Sequence, residues 1–84
     1  SANPDSAGLN AEMGRMLSES GRTKEAVAHF EKAASRDPRP ERKMEWAGAL
    51  AAAGQSAEAR RVLQDVLARD PENEEAASFL TAIR

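Results

Sequence analysis

The sequence predicts an all-α chain of antiparallel helical hairpins stacked in series, five helices in all. Three observations lead there: landmarks that recur 33 residues apart, apolar positions at helical spacing, and turn residues that punctuate each unit. Gly21 recurs as Gly54, Glu25-Ala26 as Glu58-Ala59, Phe30 as Leu63, Ala33 as Val66 and Asp37-Pro38 as Asp70-Pro71. Earlier in each unit, Met13-Gly14 aligns with Trp46-Ala47 and Leu17 with Leu50.

The elements follow in order, at about 6–19, 23–36, 40–53, 56–69 and 73–83. The first helix rests on Leu9, Met13, Met16 and Leu17 at helical spacing, although Gly8 and Asn10 weaken its start, so fraying is expected there. Gly21 ends it, because glycine adopts the left-handed conformation that terminates helices; Gly54 does the same for the third helix. Thr23 and Ser56 offer hydroxyls to cap the helices that follow. The second helix carries Ala26, Val27, Phe30 and Ala33-Ala34 on one stripe. Asp-Pro closes the second and fourth helices, since proline has no amide proton and pushes its predecessor out of the helical region. The last segment begins a third unit but supplies only one helix, with Ala76, Ala77, Leu80 and Ile83 as its apolar stripe. It reads as a cap whose removal exposes Leu63 and Val66.

Length and composition exclude several classes of function. At 84 residues the chain is expected to form one domain, 1–84, with units at about 7–39 and 40–72 and a capping helix at about 73–84. Apolar residues make up 40% and charged residues 31%, a globular balance; the net charge of -2, with both signs interspersed, gives no footprint for nucleic acid. Aromatic residues are only 4%, so the core is expected to depend on Ala, Leu and Met and to be modestly stable. There is no cysteine, which removes disulfides, thiolate metal sites and cysteine nucleophiles. No apolar run approaches the ~20 residues of a membrane span, so a soluble protein is expected, with cytoplasm and periplasm both open. The chain opens Ser1-Ala2-Asn3-Pro4-Asp5 without an initiator Met and is read as either processed or, the favoured reading, a piece of a longer protein.

No chemistry-bearing constellation stands out. His29 lacks a second histidine or a cysteine to complete a metal or nucleophile set and is read as a partly exposed helix residue. Trp46, beside Ala47 at a repeat position, is read as core. Glu72, Glu74 and Glu75 are accounted for by the helix dipole, and Glu58 and Asp65 show no paired, desolvated arrangement. No enzyme activity, cofactor or metal is expected. Met44 with Gly48, Ala51 and Ala52 forms an apolar edge on the third helix, the feature most open to a functional reading.

Gly14, Leu17, Gly21, Ala26, Phe30, Ala33 and Pro38 form a series of small, large, turn, small, aromatic, small and proline residues. Trp46, Ala47, Leu50, Gly54, Ala59, Leu63, Val66 and Pro71 repeat it, and this series resembles the tetratricopeptide repeat family. The unit is one residue shorter than the family's usual ~34, with Arg39-Pro40 tightening the junction. The resemblance implies a short right-handed α-solenoid and a protein-protein interaction module, an adaptor or scaffold, that holds a partner peptide or helix on its concave face. It assigns that face to Ala11, Arg15, Ser18, Glu41, Met44, Glu45, Gly48 and Ala52, with Met44 as apolar contact and Arg15 as carboxylate contact. The clamp by which some members grip carboxyl-terminal carboxylates is not expected, because Ala11, Glu45 and Glu75 stand near its other positions. Two alternatives stand beside this one: a structural spacer or self-association segment, and a regulatory repeat domain attached to an enzyme. The Ala-rich, Arg-over-Lys composition is compatible with a bacterial source, and bacterial members of the family suggest an assembly or secretion system.

Overall fold

A computed structural model describes residues 6–83; the opening Ser1–Asp5 segment and Arg84, the last residue of the expected cap, lie outside the described residues. Five helices run in order: α1 (Ala7–Glu19), α2 (Thr23–Arg36), α3 (Pro40–Ala52), α4 (Ser56–Arg69) and α5 (Glu74–Ala82). There is no strand among the described residues. Each helix packs on the next, and α1 also touches α3. The hairpins α1–α2 and α3–α4 therefore stand side by side in a slab measuring 37 × 26 × 15 Å.

The turns inside the two hairpins are copies of each other. Gly21 and Gly54 take φ of 81° and 82°, a region costly for other residues. Around them the Arg22 amide donates to Leu17 O at 2.8 Å and the Gln55 amide to Leu50 O at 2.8 Å, the bond that satisfies a late helical carbonyl. This path corrects the expected capping. Arg22 and Gln55, not Thr23 and Ser56, hold the cap positions, and neither makes a side-chain capping bond. Because the turn's backbone leads straight into the next helix, Thr23 and Ser56 are already its first residues. Side-chain capping occurs instead at Ser6, which accepts from the Leu9 amide at 3.2 Å, and at Asn73, which accepts from the Ala76 amide at 3.0 Å. Asp37 and Asp70 leave the helical region, as the prolines that follow require, with φ of -139° at both.

Two apolar clusters form the core. One holds Ala11, Ala26, Phe30, Ala33 and Ala49; the other holds Ala47, Leu50, Ala59, Val62, Leu63, Val66 and Ala76. Val27 and Trp46 pack against both, so Trp46 is a core residue that ties the hairpins together, with its indole Nε1 buried and without a hydrogen bond. Phe79 and Leu80 of α5, with Ile83 at its C-cap, cover the second cluster. Ala77 does not join them and is exposed; the inward stripe at i, i+3, i+4, i+7 is Ala76, Phe79, Leu80, Ile83.

The first helix departs most from expectation. Leu9, Met13 and Met16 are exposed, Met16 by 62%, and methionine is absent from the buried core. The inward positions are Asn10, Ala11 and Gly14, with Leu17 partly buried against the cluster. The reason lies in the repeat. Met13 and Met16 correspond to Trp46 and Ala49, and those two pack α3 onto the preceding hairpin's cluster of Ala26, Phe30 and Ala33. No hairpin among the described residues lies on the equivalent side of α1. Asn10, buried in the seam, is satisfied at both ends of its amide: Nδ2 donates to Ser6 O at 3.0 Å, and Oδ1 lies 3.1 Å from His29 Nδ1.

Candidate functional site

The helices α1, α3 and α5 form one side of the slab, and two depressions lie along it. The larger, of 380 Å³, runs between α3 and α5 and is lined by Pro40, Glu41, Met44, Glu45, Asn73, Glu75 and Phe79. The second, of 300 Å³, runs between α1 and α3 and is lined by Arg15, Ser18, Glu19, Phe30, Glu45, Gly48, Ala49 and Ala52. Glu45 is the wall common to both.

Local sequence positions these side chains. Pro40 starts α3 at the place where a missing amide proton costs nothing, which sets Glu41, Met44, Glu45 and Gly48 along one face at helical spacing. Asn73 caps α5 through Oδ1 and turns its Nδ2 toward Met44 Sδ at 4.0 Å, a loose polar contact between the two walls. Gly48 faces α5, and a Cβ there would sit 3.8 Å from the Phe79 ring, in ordinary contact.

Charge on this side is unevenly matched. Arg15 donates to Glu12 Oε1 at 2.7 Å and to Glu45 Oε2 at 2.9 Å, linking α1 to α3. Arg42 donates to Glu45 Oε1 at 3.0 Å, while its Nε lies 3.6 Å from Asp37, beyond hydrogen-bond reach. Glu12, through its hydrogen bond, is the main cause that holds the Arg15 guanidinium even more firmly protonated than usual. Glu41 and Glu75 form no salt bridge with a cation among the described residues.

Of the residues expected to line a partner surface, Glu41, Met44 and Glu45 meet in the larger depression and Arg15, Ser18, Glu45, Gly48 and Ala52 in the smaller. Ala11 is different. It is fully buried beside Ala26 and Phe30, because it points into the α1–α2 seam, and so it cannot line either depression. Ala51 likewise packs on the Leu50 cluster instead of extending the apolar edge. Sequence reasoning missed Phe79, Asn73 and Pro40 as lining residues. The signal for Phe79 was present in the α5 periodicity, where it falls three residues after the buried Ala76.

Among the described residues no group of three or more His, Asp or Glu side chains could hold a metal ion. No described helix is long and apolar enough to cross a membrane. A sequence profile described as tetratricopeptide repeat matches residues 17–83. No curated protein and no solved structure matches the chain. With most of its length matched by that profile, and with two hairpins and a further helix packed in series, the chain belongs to the tetratricopeptide repeat family.

Proposed function

We propose that this chain is an adaptor or scaffold module that holds a segment of a partner protein on the side formed by α1, α3 and α5. Repeats of this family generally mediate protein-protein contact. The observation that carries the reading is the 380 Å³ groove with Met44 and Phe79 in its lining, a half-apolar depression with polar walls. Met44 supplies the apolar contact. Arg15, Ser18, Gly48 and Ala52 extend the surface across the second depression, and Arg15 acts there by fixing Glu45 through its ion pair. A groove this small buries less than about 1,200 Å² with its partner, the range of transient contacts. The Ala-rich, Arg-over-Lys composition is compatible with a bacterial source, and the resemblance to bacterial members of the family suggests an assembly or secretion setting. Capture of proteins from the source cell's lysate on immobilised wild-type chain and on Met44→Glu tests the surface, with circular dichroism verifying that both are helical. A partner retained by the wild type and lost by Met44→Glu supports it; equal capture by both refutes it.

A second reading, self-association, is favoured by the exposed Leu9, Met13 and Met16 on α1. Their repeat equivalents include Trp46 and Ala49, which already serve as a packing face between hairpins. On this reading a second copy of the chain covers that stripe. Sedimentation velocity of the wild type and Met13→Glu over a wide concentration range decides it: association lost in the variant supports the reading, and a monomer throughout removes it.

A further inference from the structure

We propose that the groove between α3 and α5 recognises a segment carrying a large apolar side chain flanked by lysine or arginine; the inference rests on the protein-binding reading above. The groove's chemistry sets both halves of that requirement. Its apolar lining is Pro40, Met44 and Phe79, the last two half-buried, and its charged lining residues are Glu41, Glu45 and Glu75. Among the described residues no lysine or arginine lines it.

The balance of nearby charge keeps the groove negative. Arg15 and Arg42 both point at Glu45, yet each is shared with a second carboxylate, Glu12 for Arg15 and Asp37 for Arg42. Arg39, the other nearby guanidinium, is held by Asp37 through hydrogen bonds of 2.8 and 2.6 Å. Glu41 and Glu75, one on each wall, form no salt bridge among the described residues. The first turns of α3 and α5 offset them only in part, since a helix terminus carries about half a unit charge. A partner's acidic segment would bring like charge to this rim, whereas a cationic one gains an ion pair on either wall while its apolar side chain leaves water against Met44 and Phe79.

The test uses three labelled synthetic peptides: leucines flanked by lysines, the same peptide with glutamate for lysine, and the same with serine for leucine. Binding to the full chain is read by fluorescence anisotropy, and its location by backbone amide shifts. The lysine–leucine peptide is expected to shift amides of residues 41–48 and 75–80, to weaken with added salt, and to outbind both relatives by about tenfold, as a few exposed ion pairs or one buried apolar side chain imply. The exposed pair of substitutions Glu41→Gln and Glu75→Gln should weaken it on the order of fivefold without loss of helicity. Equal or tighter binding of the glutamate peptide at the same amides overturns the cationic partner while leaving the protein-binding surface standing. Absence of shifts on α3 and α5 with all three peptides overturns the proposal, and the Met44→Glu capture then decides separately whether the surface binds protein at all.

Discussion

Gly14 sits directly beneath the ring of Phe30: a Cβ built on Gly14 would lie 2.9 Å from two ring carbons, closer than packed carbons approach. The second hairpin solves the same problem with the opposite distribution of volume, Ala47 in place of Gly14 and Leu63 in place of Phe30, both fully buried. Helix seams of this kind are set by summed size across the contact, not by either residue alone.

Gly14→Ala should therefore destabilise the chain. The substitution gains about 1 kcal/mol of helix propensity but forces a buried ring to move, at about 1–3 kcal/mol, so the net expected loss is about 1 kcal/mol. Adding Phe30→Leu recreates the second hairpin's pairing. Urea unfolding of the two single variants and the double variant should show the double to be more stable than the sum of the singles by at least about 0.5 kcal/mol. Additive effects would mean that the ring relaxes freely.

Gly48→Ala should do the reverse. Its new Cβ meets Phe79 at 3.8 Å, an ordinary contact, so the helix gains about 0.5–1 kcal/mol without a clash. The urea midpoint should rise. A fall would place Phe79 closer to α3 than the structure has it.

The limits of α2 and α4 were legible to the residue because Gly21, Gly54 and the two Asp-Pro pairs act through the backbone, and backbone constraints read directly from residue type. Side-chain roles were harder. Thr23 and Ser56 have the composition of caps, but the geometry of the turn, not the hydroxyl, decides which residue stands at the cap. Met13 and Met16 are apolar at helical spacing, yet spacing does not say which of two apolar faces has a neighbour. The repeat did hold that information: Met13 aligns with Trp46, a residue that faces a preceding hairpin. At the larger depression, Met44, Glu41 and Glu45 were singled out by the family resemblance, whereas Phe79 was hidden by the choice of Ala77 for the α5 stripe, since small residues fit both inside and outside.

Asp65 links stability to pH. Its carboxyl is held below the usual carboxylate range mainly by the hydrogen bond from Lys43, with Arg69 adding to it. A carboxyl depressed in the folded state stabilises it above the unfolded value of about 3.9, and that contribution fades as pH falls from there through the lower folded value. The pair is partly exposed, so solvent screening keeps its contribution below about 1 kcal/mol. Asp65→Asn should be slightly less stable at neutral pH and should lose less stability than the wild type between pH 4 and pH 2, measured by urea midpoints. Parallel curves would remove the linkage.

The cap should be required for stability. A chain ending at Asn73 leaves Leu63 and Val66, buried in the structure, without Ala76, Phe79, Leu80 and Ile83 over their cluster. A loss on the order of 3 kcal/mol is expected, together with binding of a dye that reports exposed apolar surface. An unchanged urea midpoint would show that α5 contributes nothing to the second hairpin.

The proposed protein-binding surface on α1, α3 and α5 is tested by amide chemical-shift mapping of the chain with a partner recovered by capture. A partner seated there gives the largest shifts along residues 41–48 and 73–80, with smaller ones at Arg15 and Ser18. Shifts confined to the exposed faces of α2 and α4, with the groove residues unmoved, would contradict it.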